Sequence, residues 1–279
     1  MPRLDAGGGG INVARAIKKL GGEATAIFPS GGYTGKYFDH LLEKEDIPVI
    51  IIETKNETRE NIIVLEEKTN QQYRFGMPGT ELSESEWQQC LKIVEEIKEV
   101  EFIIASGSLC PGVPLDIYAR LAVIAKNKKS KLIVDTSGEA LKHAANEGVY
   151  LLKPNLGELS SLMGIERIAS EEIEAIAKQV IDKGHCEIIV TSMAEEGAIL
   201  VTKNETHRAV PPIVKRKSVV GAGDSMVAGI VLALSQKKTL KEALQYGVAC
   251  GTAATMNAGT ELCHKEDAET LFNLLRSQQ

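Results

Sequence analysis

The sequence lacks the features that would assign a chain to a membrane, a secretory route, a metal cluster or a nucleic-acid groove. Its five cysteines, Cys90, Cys110, Cys186, Cys250 and Cys263, are scattered through 279 residues. They form no CxxC pair and share no metal-ligand spacing with the histidines, so they read as reduced thiols. No apolar run approaches the ~18 residues of a membrane span. There is no signal peptide with a charged start and an apolar core, so the expected compartment is the cytoplasm. The formal charge of −6 leaves no basic footprint, which argues against nucleic acid as a partner. Any substrate phosphate must then be met by local positive groups. Repeats, low-complexity stretches and linkers are also missing. A chain with 43% hydrophobic and 25% charged residues and no divider is expected to fold as one α/β domain over 1–279.

What the chain does have is glycine set in front of helices. Ser218-Val219-Val220-Gly221-Ala222-Gly223-Asp224-Ser225 joins a glycine turn to the apolar run 226–234, which reads as a buried helix. A helix N-terminus leaves amides unpaired and carries partial positive charge, and glycines let a phosphoryl group approach them. An aspartate beside a bound anion is electrostatically awkward unless it takes a proton from an attacking hydroxyl. The bland alternative is that Asp224 only caps the helix.

A second glycine run, Gly7 to Gly10, precedes the helical pattern Ile11-Asn12-Val13-Ala14-Arg15-Ala16-Ile17, which Gly21 stops. Neither this run nor GGYTGKY at 31–37 has Walker A spacing. Apolar runs at 24–29 and 49–53, with a helical stretch over 34–45 between them, give a strand, helix, strand rhythm suited to parallel pairing. Two strands at 61–67 and 71–77 around a polar turn at 68–70 break that rhythm, and a lid hairpin over about 58–77 is expected. Helices over 83–99, 170–183 and 240–257 and strands at 102–105, 131–135, 188–192 and 198–201 complete the pattern. Asp135, at a strand end, reads either as a cap for the next helix or as an outer Mg²⁺ partner. Asn155-Leu156-Gly157-Glu158 reads as an N-cap with its capping glutamate, or as a place to hold Mg²⁺.

SVVGAGDSMVAG resembles the signature of the ribokinase or PfkB family of sugar kinases. GGGGINVARA, TREN, QYRFGMPG, SGSLCPG and KPNLGEL resemble further family segments, in family order and over nearly the whole chain. The resemblance implies a ribokinase-like fold, a doubly wound, mainly parallel sheet with helices on both faces and a small β lid. It implies that Asp224 is the catalytic base, with Gly221, Ala222 and Gly223 forming the anion hole. Gly8, Gly9, Asn12 and Ser108 would hold sugar hydroxyls, and Arg59 would pair with a phosphate already on the sugar. Lys153, Asn155, Ser192, Gly197, Ser218, Val220 and Asn257 would surround ATP. Glu158 would hold Mg²⁺ through water, while Ser218, Val220, Ala254 and Asn257 would hold K⁺. Fructose 6-phosphate is the implied acceptor, with fructose 1-phosphate or tagatose 6-phosphate as alternatives.

Related kinases carry, by the same resemblance, a further segment ahead of the glycine run. It holds the first strand, part of the lid and an aspartate for which Asp5 stands too near Gly7 to substitute. The lid is therefore expected to be incomplete, a strand edge exposed and a homodimer through the lids compromised. A catalytically weak nucleotide-binding protein is the second expectation.

Overall fold

The computed structural model describes residues 4–66, 69 and 71–277. The first half runs α1 (Gly9–Lys19), β1 (Ala26–Ser30), α2 (Gly32–Lys44), β2 (Val49–Glu53), β3 (Ile62–Glu66), β4 (Gln71–Phe75), α3 (Glu84–Glu96), β5 (Phe102–Ser106), α4 (Ile117–Lys128) and β6 (Lys131–Asp135). It continues through α5 (Gly138–Glu147), β7 (Val149–Leu152), α6 (Leu156–Met163), α7 (Ile173–Asp182), β8 (Cys186–Ser192), β9 (Ala198–Val201), β10 (Thr206–Ala209), α8 (Ala222–Ser235), α9 (Leu240–Thr255) and α10 (Lys265–Ser277). None of these helices is long and apolar enough to cross a membrane.

Six strands form the main sheet in the order β10-β9-β8-β7-β6-β5. The run from β8 to β5 is parallel, and β9 and β10 add antiparallel edges. Its parallel strands read as unbroken apolar runs because helices cover both faces. Ile133, Ile188 and Val190 pack with α1, α8, α9 and α10, while Leu132, Val134 and Ile189 pack with α3, α4, α5 and α7. This is the doubly wound arrangement, with one departure. β1 and β2 pair in parallel with each other and form a separate two-stranded sheet, not a continuation of the six.

Between β1 and β5 lies a cleft of about 1010 Å³, walled by Ile11, Ala14 and Ile17 on one side and Trp87, Val94 and Leu121 on the other. Backbone parity identifies the groups that face it. Glu101 and Gly107 bond to β6, so Phe102, Ile104 and Ser106 point their amides and carbonyls the other way. Ala26 and Ser30 bond toward β2, so Thr25, Ile27 and Pro29 face the cleft. Pro29 falls inside β1, against the sequence expectation that it ends the strand, because its missing N–H lies on the edge that has no ladder. The exposed strand edge expected from the sequence is thus found at β5, opposite a second edge at β1.

The lid hairpin pairs Ile62 with Phe75 and Val64 with Tyr73, and all four side chains are exposed. Of its expected turn, Lys68 and Asn70 lie outside the described residues. The helix expected over 240–257 stops at Thr255, because the Asn257 side chain folds back onto the Ala253 and Leu262 carbonyls at 3.4 and 2.9 Å.

In hydrogen exchange, the amides of Phe102 and Ile104 should exchange at least about tenfold faster than those of Ile103 and Ala105, which face β6. Equal protection along β5 would show that its cleft edge is covered.

Candidate active site

The amino ends of α1 and α8 converge on the carboxyl edge of the sheet. Gly221 is the N-cap of α8 at φ 76° and ψ 2°, a left-handed conformation that side chains resist. Asp224 therefore stands at the third helical position and is not the cap; Gly221 takes that role. The Ala222 amide makes a long 3.4 Å bond to the Val219 carbonyl, and Ser225 N–H closes the turn on the Gly221 carbonyl at 2.8 Å. Gly223 is exposed. A Cβ built on it would lie 3.7 Å from Lys153 Nζ.

Lys153 brings a cation to the anion hole from beneath. It is 5% exposed, and its ammonium sits 3.1 Å from Asp135 Oδ1. Burial pushes the Asp135 carboxyl up from its ordinary value, and Lys153 opposes that shift by charge and hydrogen bond. Removing one partner of such a pair strands the other charge at a cost of about 3–5 kcal/mol. Asp135 caps no helix, since Ser137 occupies the N-cap of α5.

Asn155 and Glu158 form a full capping box at the start of α6. Glu158 N–H donates to Asn155 Oδ1 at 2.9 Å, and Asn155 N–H donates to Glu158 Oε2 at 2.8 Å. Burial raises the Glu158 carboxyl above its usual range and nearby Asp135 adds to this, against the Asn155 bonds and Lys153. The capping reading is thus correct, and it leaves Glu158 Oε1 outside the box. Ser192 adjoins Asn155 through a β-bridge, with its N–H on the Pro154 carbonyl at 3.0 Å. Gly197 follows at φ 86°, where a Cβ would overlap the Ala209 carbonyl oxygen.

Ser218 Oγ donates to the Gly259 carbonyl at 2.8 Å and accepts from Val220 N–H at 3.2 Å. With the Asn257 bonds, this ties the 256–262 loop to the turn before α8. The Ala254 carbonyl accepts from Asn257 N–H at 3.2 Å. The Ser218 hydroxyl is thereby engaged as both donor and acceptor, while both Asn257 side-chain bonds come from its Nδ2, so a cation held here would draw on backbone carbonyl oxygens and the Asn257 Oδ1.

On the α1 side, Gly8, Gly9, Ser108 and Arg59 line the cleft. Gly9 lies so close to β5 that a Cβ would overlap Ser106 Oγ and come 2.8 Å from Gly107 N. Gly107 is itself pinned, its carbonyl accepting from Thr136 Oγ1 at 2.8 Å and Tyr118 OH at 3.1 Å. Arg59 is exposed, and no carboxylate among the described residues pairs with it. Asn12 is directed elsewhere, for its Nδ2 donates to Asp224 Oδ2 at 2.8 Å and its side chain is 7% exposed. Asp5 accepts from Thr260 Oγ1 at 2.8 Å, on the loop after α9 and away from the cleft. Sequence reasoning passed over Arg15, Thr136 and Tyr118; a charged residue inside an apolar helical stripe was the one available signal.

An anion hole at a helix start, an acid within its first turn and a buried lysine beneath it describe a phosphotransferase that works at the carboxyl edge of an α/β sheet. Residues 2–267 match the model of the pfkB family carbohydrate kinases, and the chain belongs to that family. The chain is 43% identical over 275 residues to the ATP-dependent 6-phosphofructokinase isozyme 2 of Escherichia coli, spanning 98% of this chain and 89% of that protein. It is 32% identical over 257 residues to the 1-phosphofructokinase of Bacillus subtilis, spanning 91% and 84%. The crystal structure of Escherichia coli phosphofructokinase-2 in complex with potassium superposes with a TM-score of 0.95 at 43% identity, covering 99% of this chain and 90% of that one. The ribokinase-like fold expected from the sequence is thereby established.

Gly221→Ala should lose about 1–2 kcal/mol to left-handed strain and more to overlap with Leu262, whose Cδ2 would lie 2.6 Å from the new Cβ. Gly259→Ala has the same strain at φ 63° but open space around it. Calorimetry should therefore find the first variant clearly less stable than the second.

Proposed function

We propose that this chain transfers the γ-phosphoryl group of MgATP to a hydroxyl of fructose 6-phosphate in the cytoplasm. The observation that carries the reading is Asp224, held by Asn12 in the first turn of α8 beside the Gly221–Gly223 turn and Lys153. Asp224 takes the proton of the attacking hydroxyl. The amides at the start of α8 and the Lys153 ammonium oppose the charge that gathers on the transferring group. Gly8, Gly9 and Ser108 hold the sugar, and Arg59 forks onto its existing phosphate. Asn155, Ser192, Gly197, Ser218, Val220 and Asn257 form the nucleotide side.

Glu158 is the oxygen donor suited to Mg²⁺, which when bound neutralises nucleotide phosphates and is commonly held through water by one or two carboxylates. The backbone carbonyls around Ser218, Val220, Ala254 and Asn257 are the group suited to K⁺. A homodimer through the lids is part of the reading, supported by the exposed face of Ile62, Val64, Tyr73 and Phe75.

A second reading, a nucleotide-binding chain with weak sugar turnover, is favoured by the separation of β1–β2 from the main sheet beside the sugar residues. ADP release from MgATP with fructose 6-phosphate, fructose 1-phosphate and tagatose 6-phosphate, each against a no-sugar control, decides between them. Turnover greatest with fructose 6-phosphate is expected; ATP binding without turnover of any sugar would establish the second reading.

Asp224→Asn should bind ATP normally and lose about 10²- to 10⁴-fold in kcat; activity within about tenfold of the unaltered chain would remove its role as base. Arg59→Ala should raise KM for the sugar phosphate far more than KM for ATP, and an equal rise in both would refute the phosphate clamp.

A further inference from the structure

Asn12 does not stand alone beside Asp224. Three residues further along α1, Arg15 is 3% exposed and fully engaged. Its Nε donates to Glu45 Oε2 at 2.9 Å and its Nη2 to Glu45 Oε1 at 2.5 Å, a two-pronged grip on one carboxylate. Its Nη1 donates to the Ala6 carbonyl at 2.6 Å and reaches Asn12 Oδ1 at 3.5 Å, the long limit of a hydrogen bond. The other end of the same amide donates to Asp224 Oδ2 at 2.8 Å.

Donor chemistry makes this arrangement directional. A guanidinium only donates and an ionised carboxylate only accepts, so an amide between them satisfies both in one orientation. Turning Asn12 over would set its NH₂ against the Arg15 N–H groups and its oxygen against Asp224. Glu45 and the Ala6 carbonyl fix the guanidinium, so the guanidinium can fix the amide.

We propose that Arg15 is a positioning residue for the phosphoryl-transfer step, acting through Asn12 to hold the rotation of the Asp224 carboxylate. The inference rests on the reading of Asp224 as the base. Among the described residues, Arg15 touches Asp224 through Asn12, and it does not line the cleft. Its loss should therefore appear in kcat and leave substrate affinity alone. Misplacement of a reacting group by about 1 Å costs up to about 10² in rate.

Arg15→Lys keeps a cation for Glu45 but lacks the planar fork needed to meet Glu45, Ala6 and Asn12 together. With fructose 6-phosphate and MgATP, its kcat should fall about 10- to 100-fold, with both KM values within about threefold. The decisive comparison repeats the substitution in an Asn12→Ala background. There it should change kcat by less than about twofold, because the route through Asn12 is already cut. A full loss persisting in that background, or an unchanged kcat in Arg15→Lys alone, would overturn the proposal.

A second measurement does not depend on turnover. With ¹⁵N-asparagine labelling, the Asn12 side-chain NH₂ signal, identified by its loss in Asn12→Ala, should be protected from exchange in the unaltered chain and exchange freely in Arg15→Lys. If the unaltered chain turns over no sugar, the kinase reading fails and this signal alone tests the positioning role. An Asn12 signal that Arg15→Lys leaves unchanged overturns it.

Discussion

The amides at the start of α8, which no side-chain cap engages, are the constraint on which the rest of the site depends. A helix cannot satisfy its first N–H groups from within, and here no side chain caps them. Gly221 supplies the left-handed turn that ends the preceding loop, and that turn leaves the amides open to an anion. The surroundings then supply charge of both signs at short range. Lys153 comes from the strand end beneath, and Asp224 from the helix itself. A carboxylate beside an anion site is unfavourable for binding alone, and on the proposed reading Asp224 is there to take a proton.

Burial of these charges needs local compensation. Lys153 is neutralised by Asp135, and Arg15 by Glu45, each across elements distant in sequence. Both pairs join a buried cation to a more exposed carboxylate, and each cation is aimed at the site: Lys153 toward Gly223, Arg15 toward Asn12. Net charge plays little part in this, since a chain of formal charge −6 still places these buried cations beside the start of α8 and beside Asn12.

The separated β1–β2 pair gives the proposed sugar side a different character from the proposed nucleotide side. From β5 to β10 the ladder is continuous, and the residues proposed for ATP lie at strand ends, at the start of α6 and in the loops before α8 and after α9, tied by hydrogen bonds. Gly8, Gly9 and Ser108 instead border a cleft whose two long edges are unpaired strands. Unpaired edges between apolar walls are poorly satisfied in water, so this part of the fold has the least local stability behind it.

Much of this was legible in the residues themselves. Glycine and acid spacing marked the start of α8, apolar runs with punctuating glycines marked the parallel strands, and Asn155 with Glu158 marked a capped turn. These are local matters, settled by φ preference, hydrogen-bond geometry over three or four residues and the period of burial. The amino-acid order alone determined which helices begin with open amides and which strands are buried on both faces. Only the tertiary structure decided that Asn12 serves Asp224, that Lys153 lies under Gly223 held by Asp135, and that β1 stands apart from β5. Those relations join residues as far as 212 positions apart in the chain. They are set by how helices cross and strands pair, and no local preference encodes that.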